Sequence, residues 1–195
     1  MTRGEAGMAR LSEGLVEVYT GDGKGKTTAA FGLALRAVGQ GLRVCVVQLM
    51  KKGWESGEGK AGARLAPELE VHAFGAERWG DRRAAGEDAP WWMLPPSEED
   101  RAQAREALAF AQRAAREGRC DLVVVDEIFP ALKQGLVALP EVLSLIRGRA
   151  RHVELVLTGR DAPKEVCEAA DLVTEMQAVK HPYQRGVRAR PGIEY

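Results

Sequence analysis

The chain has 195 residues, 45% of them hydrophobic, with 28 Lys and Arg balanced by 28 Asp and Glu. That length suits one domain with a substantial core, and the balanced charge gives no general attraction to nucleic acid or to an anionic membrane, so neither is expected as a partner. No apolar run approaches the ~18 residues of a membrane span and the first residues lack a secretory signal core, which points to a soluble, cytoplasmic protein.

Residues 1–14 read as a flexible start, and residues 15–20, LVEVYT, as the first strand. Residues 26–41, KTTAAFGLALRAVGQG, have the spacing of a helix ended by glycine. Residues 42–50, LRVCVVQLM, are nearly continuous in apolar and β-branched side chains, the pattern of a strand covered on both faces. A shorter strand is predicted over 69–75, and then a long irregular stretch, 76–96, carries three of the four tryptophans. A stretch of that length inside a compact domain is more often a functional loop than a packing accident. Ser97, followed by Glu98, Glu99 and Asp100, sets a capping hydroxyl and three carboxylates at the positive end of a helix running to about Gly118.

Residues 121–129 and 153–160 read as buried strands, 139–148 as an amphipathic helix, and the region 162–179 as a helix followed by a last strand. The alternation predicts an α/β fold, a mostly parallel sheet with helices on both faces, in a single domain spanning 1–195. A polar tail, 180–195, punctuated by Gly and Pro, is expected to lie near the site. Cys45, Cys120 and Cys167 are odd in number and widely spaced, which favours core thiols over a disulfide or metal site.

The stretch TGDGKGKTT, residues 20–28, sits between the first strand and the first helix. It resembles a phosphate-binding loop in which Thr20 replaces the first glycine of G-x-x-x-x-G-K-[ST]. A strand, a glycine-rich turn and a helix N-terminus gather backbone N–H groups and positive potential in one concavity. Gly21, Gly23 and Gly25 allow close approach, Lys26 adds a charge, Thr27 offers a hydroxyl to Mg²⁺, and Thr28 completes the loop. Lys24 suits a polyphosphate, while Asp22 is unfavourable there unless it faces a metal, an amide or a hydroxyl. The second element, LVVVDEI, ends in Asp126 and Glu127 and resembles the strand, expected beside the loop strand, whose terminal carboxylate helps hold Mg²⁺; one of the two is expected to face the loop. Gln48 and Arg160 also fall at strand C-termini, where ligands of open α/β sheets gather. His72 and His152 have no partner spacing and read as structural, whereas His181 lies in the tail that can fold over the site.

In chain order, TGDGKGKTTAAFGLALRAVGQG, VVQLMKKG, LVVVDEI, VELVLTGR, ADLVTEM and VKHPYQRGVRARPGIEY resemble the ATP:corrinoid adenosyltransferases of the P-loop type over residues 15–195. The loop T-G-[ND]-G-K-G-K-T-T and the tail V-K-H…G-I-[ED]-[YF] are the distinguishing motifs. The resemblance implies a RecA-like fold and transfer of the 5′-deoxyadenosyl group of ATP to the cobalt of a cob(I) corrinoid, in adenosylcobalamin biosynthesis or salvage. It also implies that ATP lies reversed, with the ribose C5′ facing the corrinoid and triphosphate leaving. Thr27 and Glu127 are then the magnesium partners, residues 21–28 surround the phosphates, and Arg36 reaches the nucleotide. Lys26 and Lys24 stabilise the leaving group, which needs no general base. A flavin-dependent reductase or flavodoxin-like electron donor and a homodimer are further implications. Where relatives carry a compact G-F-T-W segment this chain has its longer loop, so Trp91 and Trp92 are assigned to displace the lower axial ligand, with Phe74 and Trp79 in reserve. Beside the longer N-terminal helix of some relatives, the short N-terminal segment implies a cap over the corrin that is reduced or absent. The rival reading is a P-loop kinase or NTPase acting on a small metabolite, with Asp126 as its base.

Overall fold

Strands covered on both faces require apolar side chains at successive positions, and the runs in this chain become the centre of a six-stranded sheet. The computed structural model describes residues 11–51, 56–76 and 95–193; the expected flexible start falls largely, and the tryptophan loop with Trp79, Trp91 and Trp92 almost wholly, outside the described residues. The strands are β1 (Val16–Thr20), β2 (Val44–Leu49), β3 (Leu69–Phe74), β4 (Leu122–Asp126), β5 (Glu154–Thr158) and β6 (Leu172–Glu175). Every pairing is parallel, in the order β3-β2-β4-β5-β1-β6. Around the sheet lie α1 (Lys26–Gly39), α2 (Gly57–Gly62), α3 (Glu98–Glu117), α4 (Ile128–Lys133), α5 (Leu139–Gly148) and α6 (Lys164–Ala169), with a 3₁₀ turn, Pro182–Arg185, after β6.

Alternate strand positions feed two cores, because successive side chains point to opposite faces. Cys45, Val47, Val123, Val125, Leu155 and Leu157 pack with Ala107, Ala111, Phe129 and Leu145 from α3, α4 and α5. Val44, Val46, Leu122, Val124 and Val156 pack with Ala30, Ala34 and Ala37 of α1. The second series continues into Gln48 of β2 and Asp126 of β4, both fully buried, so these two polar residues point to the side of α1 and the loop before it. Their placement follows from the same parity that builds the core.

Three features differ from the pattern read in the sequence. The apolar run over 121–129 stops being strand at Asp126, because Glu127 takes a φ of 64° and turns the chain directly into α4. Neither α2 nor α4 was legible: α2 is glycine-rich, with weak intrinsic propensity, and is started by the Ser56 hydroxyl accepting the Gly59 amide at 3.1 Å. In α4, Pro130 occupies the first turn, where a missing N–H costs no intrahelical bond. Finally, the carboxylate strand is not next to the loop strand, since β5 lies between β4 and β1; the two are separated by roughly 10 Å, a gap that side chains must bridge. The helix after the tryptophan region begins with a capping box, Ser97 Oγ accepting the Asp100 amide at 3.2 Å and Asp100 accepting the Ser97 amide at 2.6 Å.

Candidate active site

Thr20 remains a strand residue, which accounts for its standing where a glycine belongs. It pairs with Glu175 of β6, its carbonyl accepts the Met176 amide at 2.8 Å, and its hydroxyl accepts the Ala162 amide at 3.1 Å. A glycine would forgo the hydroxyl bond that ties β1 to the segment after β5. The loop then turns through Gly21 (φ 96°) and Gly25 (φ 125°), backbone angles that L residues rarely adopt. A Cβ at Gly21 would lie 2.4 Å from the Met176 carbonyl oxygen, and one at Gly23 would lie 2.7 Å from it. The glycines therefore admit the chain's own residues 176 and 177 as well as any ligand. The Gly23 amide donates to Met176 at 2.7 Å. Asp22 faces an amide: its carboxylate accepts the Ala178 N–H at 3.1 Å. Lys24 donates to the Ile193 carbonyl at 2.8 Å.

Lys26 turns inward, its ammonium donating to the carbonyls of Gly21 and Gly23 at 2.7 Å each. Burial and then the Arg160 charge lower its pKa from the ordinary lysine value, opposed by Glu127, Asp22 and Asp126. Beneath the loop, the Asp126 carboxylate accepts four hydrogen bonds. Oδ1 receives the hydroxyls of Thr27 (2.8 Å) and Thr158 (2.6 Å); Oδ2 receives Gln48 Nε2 (3.1 Å) and Lys51 Nζ (2.7 Å). Burial opposes its ionisation but is outweighed by the Lys51 charge and bond and by Thr158 and Gln48, which hold the carboxyl below its usual range. In Lys51 the same pair works in reverse: burial disfavours the ammonium, and Asp126 outweighs it and raises the pKa.

Glu127 is the opposite case. Its amide donates to Thr158 Oγ1 at 3.1 Å, while no hydrogen bond reaches its carboxylate among the described residues. Burial, then the neighbouring Asp126 charge, raise its pKa, opposed by Lys51, Lys26 and Arg160. These groups border a cleft of about 990 Å³ that has a polar end and an apolar wall. Gly23, Lys24, Gly25, Lys26, Thr27, Thr28, Lys51, Glu127, Arg160 and His181 line the polar end; Phe31, Leu35, Ala61, Leu65 and Leu69 form the wall. His181 Nδ1 accepts the Tyr183 amide at 3.2 Å, which leaves the proton of the neutral ring on Nε2.

A profile of the family described as ATP:corrinoid adenosyltransferase BtuR/CobO/CobP matches residues 12–195. The chain belongs to the ATP:corrinoid adenosyltransferase family. Corrinoid adenosyltransferases of Escherichia coli and Pseudomonas aeruginosa are 35% and 36% identical to it over 187 residues, covering 96% of this chain and 88% and 86% of theirs. Corrinoid adenosyltransferase CobA of Salmonella typhimurium is 35% identical, over 96% of this chain and 88% of its own. The chain is thus a transferase that adenosylates corrinoids with ATP.

Within this adenosyltransferase, the sequence-selected residues fall into distinct positions. Gly21 and Asp22 lie on the side of the loop that meets the tail; Gln48 and Asp126 lie buried below it. Arg36, on α1, is not among the residues that border the cleft; burial and then Glu17 raise the pKa of the Tyr19 phenol, and the Arg36 charge opposes that rise. Phe74 packs beside Phe110, with ring centroids 5.8 Å apart. His72 pairs with Glu70 at 3.2 Å and His152 with the Gly118 carbonyl at 3.1 Å, both structural. Trp91 and Trp92 lie outside the described residues. All three cysteines are free thiols. Sequence reasoning passed over Lys51, Thr158 and Met176. The rule that selected Gln48 and Arg160, position at the C-terminal end of a strand, applies equally to Lys51 and Thr158.

Magnesium bound to a polyphosphate needs one or two protein oxygens beside phosphate and water. Thr27 gives its proton to Asp126, so its oxygen lone pairs are available to a cation, and Glu127 supplies a carboxylate on the same cleft. Among the described residues no group of three or more His, Cys, Asp or Glu side chains forms a protein-only cage. The donor set fits a nucleotide-borne magnesium.

Proposed function

We propose that the chain, folded as one P-loop unit, transfers the 5′-deoxyadenosyl group of ATP to the cobalt of a reduced corrinoid and releases triphosphate. In this reading Gly21, Asp22, Gly23, Lys24, Gly25, Lys26, Thr27 and Thr28 form the phosphate loop, with Arg160 and His181 at its rim. Magnesium, held by Thr27 and Glu127, neutralises charge on the triphosphate when bound. Lys26 and the loop amides stabilise the negative charge that accumulates on the leaving group, an effect that can reach about 10²- to 10³-fold in rate per donor. His181, with its proton on Nε2, donates toward the same anion. Asp126 orients the Thr27 hydroxyl without touching substrate. Arg36 acts from α1 on the nucleotide side, and Gln48 supports Asp126.

One observation carries this reading against a kinase or hydrolase: Asp126, the base such an enzyme would use, is fully buried and accepts four hydrogen bonds. A cob(I) centre attacks through a filled metal orbital and has no proton to lose, so the site needs no base. The remaining expectations belong to the same proposal. Trp91 and Trp92 face the corrin, a flavin-dependent reductase or flavodoxin-like protein supplies the electron, and the enzyme works as a cytoplasmic homodimer. Incubation with ATP, magnesium and chemically reduced cobalamin is expected to yield a light-sensitive cobalt–carbon product and stoichiometric tripolyphosphate. ADP and orthophosphate as products would reject the proposal.

A further inference from the structure

We infer that Lys51 is a polyphosphate-binding residue of this cleft, a cation anchored by Asp126 and presented to the departing triphosphate. The inference rests on the adenosyltransferase reading above. Lys51 follows β2 by two residues, and between them Met50 takes a φ of 52°. A side-chain-bearing residue in that region departs from the sheet path at some cost in strain, and here the departure brings Lys51 across the strand ends. Gly75 permits the turn, because a Cβ there would lie 2.7 Å from the Lys51 carbonyl oxygen and 2.9 Å from its amide nitrogen. The resulting position is on the cleft wall with Lys26 and Thr27.

The ammonium makes a 2.7 Å ion pair with Asp126, and its side chain is 29% exposed while Asp126 is at 0%. An ammonium has three N–H donors; Asp126 takes one, and among the described residues no protein acceptor takes the other two. Asp126 already has Thr27, Thr158 and Gln48 as donors, so the pair fixes the position of Lys51 and leaves donors turned to the cleft. Lys24, the other extra cation read from the loop, is tied to the carbonyl of Ile193, on the side of the cleft formed by the tail. Lys26, from the loop, and Lys51, from the end of β2, thus both border the cleft.

The test measures binding of magnesium ATP and of magnesium tripolyphosphate by titration calorimetry to the wild type, Lys51→Gln and Lys51→Arg, with thermal melts of each. Lys51→Gln is expected to weaken tripolyphosphate binding about 10- to 100-fold, the range of a charged hydrogen bond, and Lys51→Arg to recover most of it. Because Lys51→Gln strands a buried carboxylate, the double variant Lys51→Gln with Asp126→Asn is compared with Asp126→Asn alone, which carries any effect transmitted through Thr27, and a further loss of affinity is expected between those two. Tripolyphosphate affinity equal to wild type in the folded variants overturns the inference and leaves Lys51 as a structural partner of Asp126. The reaction itself is judged separately, from the wild type and reduced cobalamin, so a wrong reaction and a wrong subsite give different results.

Discussion

Asp126 concentrates the site's organisation in one side chain: its carboxylate joins α1 through Thr27, β2 through Gln48, β5 through Thr158 and the β2 exit through Lys51. Removing one member of a buried charged network leaves the others desolvated without partners, and Asp126→Ala is expected to lower stability by about 3–5 kcal/mol, as urea unfolding monitored by circular dichroism will measure. A loss under 1 kcal/mol would mean that water replaces the carboxylate and the network is dispensable. Asp126 and Glu127 illustrate what the sequence could and could not convey at this scale. An acidic pair at a strand end was legible, but the choice between them was not. That choice depends on strand parity carried through Leu122 and Val124, and on the left-handed turn at Glu127 that releases its carboxylate from the sheet.

Among the elements, the phosphate loop and the tail after β6 form one packed unit. Gly23 shows the consequence: a Cβ would lie 2.7 Å from the Met176 oxygen and 2.8 Å from the Gln177 carbonyl carbon, both main-chain atoms that cannot rotate away. Gly23→Ala is therefore expected to displace the tail and reduce magnesium ATP affinity at least about tenfold, a loss of ~1.4 kcal/mol. Gly32 of α1 is the contrast, exposed and with nothing within 4 Å of an added Cβ. Gly32→Ala should stabilise the protein by about 0.5–1 kcal/mol through helix propensity and leave nucleotide affinity unchanged, with melting temperature and calorimetry deciding both. The glycine spacing of the loop was plain from the sequence, and its reading as room for phosphate was incomplete. Nothing in TGDGKGKTT announces that Met176 lies against it.

For the molecule as a whole, the order of the strands decides what the linear pattern left open. Alternating apolar runs and helical spacings specified an α/β protein, and the buried valines of β2 and β4 announced strands covered on both faces. They carried no information on which strand separates β1 from β4, and so none on Thr158. A second long-range link joins the first strand to β5: Glu154 accepts the Leu15 amide at 2.7 Å, and Glu17 is hydrogen-bonded by the Tyr19 hydroxyl. Burial raises the Glu154 pKa to about 7; the Leu15 amide opposes this and Glu17 adds to it. A carboxyl whose folded pKa exceeds its unfolded value gives the folded state more bound protons between the two, so stability falls as pH rises from about 4.5 through 7. Glu154→Gln should remove that slope, raising the melting temperature at pH 8 and changing it little at pH 5; an unaltered profile in the variant would assign the pH dependence elsewhere. The bonds from Asp22 to Ala178 and from Lys24 to Ile193 bridge 156 and 169 residues. At a synthesis rate of about 5–20 residues per second, Lys24 is synthesised roughly 10–30 s before its carbonyl partner. During that interval the nascent loop lacks the strand end that shapes it, so nucleotide capture waits on translation of the far end of the chain.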